Sequence, residues 1–447
     1  MTRILITSLN YAPEESGIAP YSTRVAEHLA SQGYRVTVLA GLPHHPQWRV
    51  HDGYRRAGWR ALLPQVERRN GVEVRRAWHH VPASRSVLQR GIYEATSLSM
   101  ALHAARMPRP DAVLGVVPSL SGGIAARAIA ARFAVPFGLI IQDVGAPAAT
   151  QSGGLGGALG GSIVRAGERW AMGGAAAVGI VAEGFRPYIE SLGVEASRIR
   201  RLRNWTQLAI PTADRATTRS RLGWPDDTTV CLHAGNMGYK QGLENVIDCA
   251  VLAAAAQAPL LFVLMGDGDQ RRELEALAAK YRLPNLRFLP LQDAAEYPNV
   301  LAAADVLLLN RRASVDDMSL PSKLTSYFAA ARPIVAAAAA ASETAREVSW
   351  SSGGIVVAPG DPKALLAGLL RVARDPGLAA HLSGSGAAWA ENVLSESQAL
   401  RAYEQLLASV LASGLHGRVH SADRVIQMPH RDATAPEPEL ERDRWAA

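Results

Sequence analysis

ILITSLNYAPEESGIAPYSTRVAEHLASQGYRVTVLAG, from Ile4 to Gly41, reads in order as strand, loop, helix and strand. Ile4 to Leu9 and Val36 to Ala40 are short apolar runs, and Tyr21 to Gln32 between them has the period of an amphipathic helix. Apolar on both faces, the two runs suit a parallel sheet covered by helices. The alternation continues with strands at Ala112 to Val117, Phe137 to Ile141 and Val178 to Val181, and helices at Val87 to Arg106, Gly122 to Phe133, Ser162 to Met172 and Gly184 to Leu192. It then starts again. Thr229 to Ala234, Leu260 to Met265, Leu286 to Leu289, Val306 to Leu309, Ile334 to Ala336 and Gly354 to Val357 are six further strands with helices between them. The sequence thus predicts an α/β chain of two doubly wound, Rossmann-like units facing a cleft, because ligands bind such sheets beyond the carboxyl ends of the strands.

The first unit takes residues 1–203 and the second 204–390, joined near Arg203, Asn204 and Trp205. A last helix, Ser395 to Leu411 within 391–412, is expected to return to the first unit. Residues 413–447 are polar, carry Pro429, Pro436 and Pro438, and read as a disordered tail. Residues 144–164 lack charge and hold seven glycines, which reads as a mobile loop.

A chain of 447 residues is too long for one compact core, and 48% hydrophobic with 19% charged residues excludes collagen-like, disordered and disulfide-scaffold classes. Cys231 and Cys249 fall in apolar elements and read as buried thiols. Met1 to Leu9 lacks the features of a signal peptide, and the longest uncharged apolar stretch, Cys249 to Gly266, is interrupted by Gln257 and Pro259. A cytoplasmic protein without a membrane span is expected. The formal charge of +7 is unevenly placed. Residues 1–204 hold 24 arginines and no lysine against 13 acidic residues, a balance of +11, and the remainder stands at −4. One unit therefore suits an anionic ligand or surface.

Four motifs sit where strands give way to helices. Gly17, before the first helix, suits either close approach of a phosphate or a tight turn. HAGNMGYKQGLENVIDCA, from His233, sets Gly235, Gly238 and Gly242 around Lys240, one of only four lysines beside 43 arginines, and a lysine in such a turn suits pyrophosphate as a point charge. In LMGDGDQRREL, from Leu264, Asp267 and Asp269 spell DxD, read as a turn with Asp269 capping the next helix in preference to a metal ligand. In SLPSKL, Pro321 and Ser322 open a helix and put Lys323 in its first turn, where a cation opposes the helix dipole and a bound anion would reverse the cost. Arg311 and Arg312 either add to that positive mouth or form surface ion pairs. Residues 44–90 form a further patch, with ten arginines, His44, His45, His51, His79 and His80, and Trp48, Trp59 and Trp78. It suits either anionic lipid or a solvated surface with a few packed tryptophans, and no nucleic-acid motif accompanies it.

In this order the motifs resemble family 4 glycosyltransferases of the GT-B fold, most closely the colanic-acid and exopolysaccharide type. NYAPE, GIAPYSTRVAEHL, GLPHHPQW, GLIIQD, GERWAMGGAAAVGIVAEGF, the pair at Asn204, GNMGYKQGLENVID, GDGDQRREL and SLPSKLTSYFAAARPIVA carry the likeness, over about residues 1–410. The resemblance implies retaining transfer of a sugar from a UDP- or GDP-linked donor held by the second domain to a polyprenyl-pyrophosphate glycan held by the first. It implies a place at the inner membrane face and no metal or other cofactor. Lys240, Lys323 and the turn at Gly17 are carried over to the departing pyrophosphate, with Gly235, Asn236, Gly266, Asp267, Ser319, Leu320, Pro321 and Ser322 completing the donor-binding set. The family's paired glutamates fall here on Met318 and Ser326, and Asp316 or Asp317 is a candidate substitute. Asn236 stands where an arginine is usual. Gln142 replaces a frequent histidine, leaving Asp143 either to position the acceptor hydroxyl or to cap a turn. The missing glutamates leave open a non-catalytic relative that binds nucleotide or lipid glycan, and a sugar-nucleotide epimerase of the same fold is a third reading.

Overall fold

A computed structural model describes residues 1–56, 63–83, 86–104, 107–117, 120–144, 157–312 and 322–426. In the first half the strands are β1 (Arg3–Ser8), β2 (Arg35–Gly41), β3 (Gln65–Arg69), β4 (Val72–Ala77), β5 (Ala112–Val117), β6 (Phe137–Ile141), β7 (Ala177–Ile180) and β8 (Ile199–Arg201). They form one sheet in the order β3-β4-β2-β1-β5-β6-β7-β8, parallel except for the β3–β4 hairpin. In the second half, β9 (Thr229–Ala234), β10 (Leu260–Met265), β11 (Leu286–Leu289), β12 (Val306–Asn310), β13 (Ile334–Ala337) and β14 (Gly354–Val357) form a fully parallel sheet in the order β11-β10-β9-β12-β13-β14. Strand order reverses between β1 and β5 and between β9 and β12, and those two crevices are where such sheets take ligands. Every residue of β5 and β10 is buried, as expected of strands covered on both faces.

The β3–β4 hairpin and the short edge strand β8 were not expected from the sequence. Asn70 and Gly71 turn the hairpin with φ of 44° and 83°, the left-handed pair that a tight two-residue turn requires. The helix expected over Val87 to Arg106 is broken at Leu98 into Val87–Ser97 and Ser99–Ala104. The loop expected over 144–164 is helical from Gly157, in a helix that runs to Gly173 and packs on the helix Leu120–Phe133. Its glycines permit that approach, since a Cβ at Gly167 would lie 2.8 Å from Leu120 Cδ2.

Trp205 of the connecting segment is buried in the first core, edge-on to Tyr21 with ring centroids 4.8 Å apart. Beside it the chain crosses back, with the N–H of Thr206 donating to the Leu394 carbonyl at 3.2 Å. The helix Glu396–Ile426 then lies on the first sheet, placing Leu400, Tyr403, Leu406 and Val410 in one cluster with Ile4, Val38 and Leu114. Gly138 makes room for it, because a Cβ there would meet Val410 Cγ2 at 2.7 Å. This helix runs well past the expected end at Leu411, so the segment expected to be disordered from residue 413 begins as helix. No proline interrupts it before Pro429.

Leu406 is fully buried under this helix, so Leu406→Ala should cost about 2–5 kcal/mol of first-domain stability, read as a lower urea midpoint. Glu404 of the same helix forms a partly exposed pair with His28 of the helix Ala19–Ser31 at 2.7 Å, and Glu404→Ala should cost no more than about 1 kcal/mol.

Candidate functional site

Two loops at the carboxyl ends of β9 and β10 are built backbone against backbone. The N–H of Gly235 donates to the Met265 carbonyl and that of Met237 to the Asp267 carbonyl, each at 2.8 Å. A Cβ on Gly266 would stand 1.9 Å from the Gly235 carbonyl oxygen, so glycine is obligatory there, and its φ of 143° is one that side chains rarely adopt. Asp267 Oδ1 accepts from the N–H of Gly268 at 2.8 Å and closes the turn. Asp269 does not cap the following helix, Arg271–Tyr281. Gln270 occupies the N-cap and gives no side-chain bond, which corrects the expected cap. No group of three or more His, Cys, Asp or Glu side chains among the described residues could hold a metal.

The crevice between β9 and β12 gathers cations. Lys323, second residue of the helix Ser322–Ala329, turns its side chain back to His233, with Nζ 3.1 Å from the imidazole Nε2. His233 is fully buried, and burial together with Lys323 holds its ring well below the usual histidine range. Burial, then the Arg311 charge, push Lys323 down to about 7. The opposing helix end noted in the sequence is thus joined by a second unfavourable term.

Lys240 lies exposed in a single turn, Tyr239–Gln241, held from below by its backbone. Asn310 at the end of β12 donates to the carbonyls of Gln241 and Gly242, both at 2.8 Å, and the N–H of Arg312 donates to the Lys240 carbonyl at 3.1 Å. Arg312 stacks 4.0 Å over the Tyr239 ring and pairs with Glu244, so for Arg312 the ion-pair reading is the one observed. Asn236 is exposed beside Gly238. Ser319, Leu320 and Pro321, with Asp316, Asp317 and Met318, lie outside the described residues, as does Trp59.

In the first domain Asp143 follows β6, and the N–H of Val144 donates to its Oδ1 at 2.9 Å. Crowding by surrounding protein raises the carboxyl above its ordinary range, against the pull of that N–H, of Lys240 and of Arg90. Lys240 belongs to the other domain, so the two groups face one another across the cleft. Gln142 exchanges amide hydrogen bonds with Asn204 at 3.0 and 3.4 Å and braces the interdomain connection. Gly17 has φ of 67° at the entry to the helix Ala19–Ser31, the geometry of the tight-turn reading, and faces the His45 ring. Sequence reasoning overlooked His233, and also Glu343. The latter is a fully buried carboxylate of the second domain that accepts from the N–H groups of Glu183 and Gly184 at 3.0 Å and pairs with Arg201 at 2.6 Å.

Residues 16–205 match the model of a glycosyl transferase 4-like domain and residues 214–389 that of glycosyl transferases group 1. The chain belongs to the family 4 glycosyltransferases of GT-B fold. It is 32% identical over 379 residues to the putative colanic acid biosynthesis glycosyl transferase WcaI of Escherichia coli K12, covering 82% of this chain and 91% of that one. Among solved structures, sucrose-phosphate synthase from Thermosynechococcus elongatus superposes with a TM-score of 0.68 at 18% identity, over 92% of this chain and all of that one. Anabaena HepE, solved in complex with UDP, does so with a TM-score of 0.65 at 15% identity, over 92% and 100%. These two likenesses speak to the fold. As a glycosyltransferase the protein has two facing doubly wound domains, with Lys240, Lys323 and Arg311 on one side of the cleft and Asp143 on the other.

The depressed Lys323 makes the free enzyme's stability depend on pH. An unfolded lysine, near 10.5, binds its proton at higher pH than the folded one at about 7, so unfolding takes up protons between those values and stability rises with pH there. Urea midpoints measured from pH 7 to 9 should rise more steeply for the wild type than for Lys323→Met.

Proposed function

We propose that this glycosyltransferase moves a sugar, with retention at the anomeric carbon, from a UDP- or GDP-linked donor to a polyprenyl-pyrophosphate-linked glycan in exopolysaccharide or cell-surface polysaccharide assembly. The observation that carries the reading is the cluster of Lys323, Arg311 and Lys240 at the switch point of the second sheet, beside the bare backbone of Gly235. A nucleoside diphosphate placed there neutralises charges that the apo site leaves against one another, and more so as the leaving group gains charge. The colanic acid relative and the UDP-bound fold neighbour support the donor and pathway parts of the proposal.

In the proposed reaction the bond from the anomeric carbon to the β-phosphate oxygen breaks and the acceptor hydroxyl oxygen forms the new bond on the same face. The hydroxyl proton leaves with the nucleoside diphosphate. Asp143 orients the hydroxyl by accepting its hydrogen bond, and Gly235, Asn236, Gly266, Asp267 and Ser319 to Ser322 complete the donor pocket. Lys240, exposed on an anchored turn, and Lys323, on a helix N-terminus, hold the diphosphate from two sides.

Lys240→Ala and Lys323→Ala each remove a charge-assisted contact of about 1.5–3 kcal/mol, so transfer from a UDP- or GDP-sugar should fall roughly 10- to 150-fold with circular dichroism unchanged. Wild-type turnover in both variants would refute the diphosphate assignment.

The acceptor part of the proposal brings the enzyme to a membrane. No helix among the described residues is long and apolar enough to cross one, so contact would be peripheral. Leu88 and Ile92 on the helix Val87–Ser97, and Ile163 and Trp170 on the helix Gly157–Gly173, are exposed, and both helices pack on Leu120–Phe133. Exposed Arg90, Arg165 and Arg169 stand among them. Cosedimentation with anionic vesicles should weaken as salt rises from 0.05 to about 0.5 M and should weaken further in Leu88→Ser/Ile92→Ser. Binding that ignores both changes would remove this surface.

A further inference from the structure

A cavity of about 570 Å³ opens in the first domain where the chain leaves β2 at Leu42 and β4 at Trp78. Trp48, Arg49, Arg55, Arg56, Trp78 and His79 line it. His79 is buried, and the N–H of Leu42 donates to its Nδ1 at 3.3 Å. Burial holds this ring neutral, so His79 adds no charge to the walls.

The walls are positive. Among the described residues Asp52 is the carboxylate in ion-pair reach of Arg49 and Arg55, at 3.5 and 3.4 Å, so the three arginines keep a surplus of about two charges. Glu67, the next acid along the chain, is engaged by Arg76 at 2.9 Å and by the Tyr54 hydroxyl at 3.1 Å.

The site is also held rigid. Glu14, buried, accepts from the N–H groups of His44 and His45 at 2.7 and 2.9 Å and pins the loop that carries Trp48. Trp48 itself has φ of 53°, an unusual backbone conformation for so large a residue. Its ring rests on His44 and Tyr93 while 42% of the residue stays exposed. Strain that presents an indole to solvent beside arginines fits a ligand with both a flat apolar face, such as a pyranose ring, and an anionic group.

From β2 to β6 there are three strand spacings, about 14 Å, and from β4 about 19 Å, so the cavity stands well away from Asp143 along the same sheet edge. A sugar reacting at Asp143 does not reach it, but a remote part of the same chain does. We infer that this cavity is an anionic subsite for the acceptor, binding a phosphate or carboxylate group borne on a sugar several units from the reacting hydroxyl. The inference rests on the acceptor reading above. Two sources share this chemistry, the pyrophosphate of a lipid carrier and an acidic sugar within the glycan.

The test uses the full chain saturated with UDP, titrated with geranyl pyrophosphate, with a trisaccharide containing glucuronate, and with neutral cellotriose, followed by tryptophan fluorescence. At least one anionic probe should bind more tightly than cellotriose, and Arg55→Gln/Arg56→Gln should raise its Kd about ten-fold or more. Trp48→Phe should reduce the fluorescence change while UDP affinity stays at the wild-type value in both variants. Preference for the pyrophosphate assigns the cavity to the lipid carrier, and preference for the glucuronate probe assigns it to the glycan. Equal binding of cellotriose, or wild-type affinity in the double variant, overturns the inference. Failure of UDP to bind would instead count against the donor reading, and anionic binding by the UDP-free chain would still decide the cavity.

Discussion

The cleft of this enzyme depends on one buried carboxylate. Glu343 opens the helix Glu343–Ser351 of the second domain, yet its oxygens take the N–H groups of Glu183 and Gly184 in the first domain and the guanidinium of Arg201. One turn later, on the same helix face, buried Glu347 meets Arg203 at 3.4 Å and accepts from the indole N–H of Trp389 at 3.0 Å. A carboxylate taken from water costs several kcal/mol unless it is paired and hydrogen-bonded, so these two acids are stable only while the domains stay in register. The three-residue strand β8 gains its purpose from this contact, because it is what delivers Arg201. With that hinge fixed, Lys240 and Asp143 confront one another across the gap.

The second device is the use of bare backbone. Gly235 and Gly266 bring the β9 and β10 loops so close that no side chain fits between them, and Asn310 ties down the turn bearing Lys240. Rigid loops at the switch point hold Lys323 close to Arg311, whose charge together with burial lowers the lysine. Lys323 shows the consequence most plainly, packed against a neutral His233 and near Arg311 at the positive end of a helix. The site relieves the conflict by letting Lys323 give up its proton near neutral pH, and a bound anion would relieve it by holding that proton in place, which fits the diphosphate proposed above.

Much of this was legible in the sequence where periodicity and composition act locally. The six parallel strands of the second sheet are continuous apolar runs, and they appear within a residue or so of the expected bounds. Lysine scarcity picked out Lys240, and a cation in the first turn of a helix picked out Lys323. The β3–β4 hairpin was missed although Asn70-Gly71 is a strong turn signal, because residues 44–90, with ten arginines, read as a basic and aromatic surface patch. Arg76 in that segment is in fact buried, bonded to Glu67 and to the carbonyl of Gly41. Glycine misled in the other direction at residues 157–161, which read as loop and are helix. His233, Glu343 and His79 carry no local signature at all. Their roles arise from which strand ends the topology sets side by side.

The surplus of positive charge in the first half can now be divided by what meets it. Arg76 is spent on Glu67, Arg24 on Glu396 of the returning helix, and Arg201 and Arg203 on the glutamates of the second domain. These arginines are structural, and they would be present in a protein that never met a membrane. The charge left without an acidic counterpart is therefore more informative than the total. Among the described residues the surplus concentrates at the cavity walls, where Asp52 alone is set against Arg49, Arg55 and Arg56, and among the exposed apolar residues near Arg90 and Arg169. A chain that needed only solubility would scatter such charge, whereas charge gathered along one sheet edge fits the anionic acceptor proposed above, which would meet it on the way to Asp143.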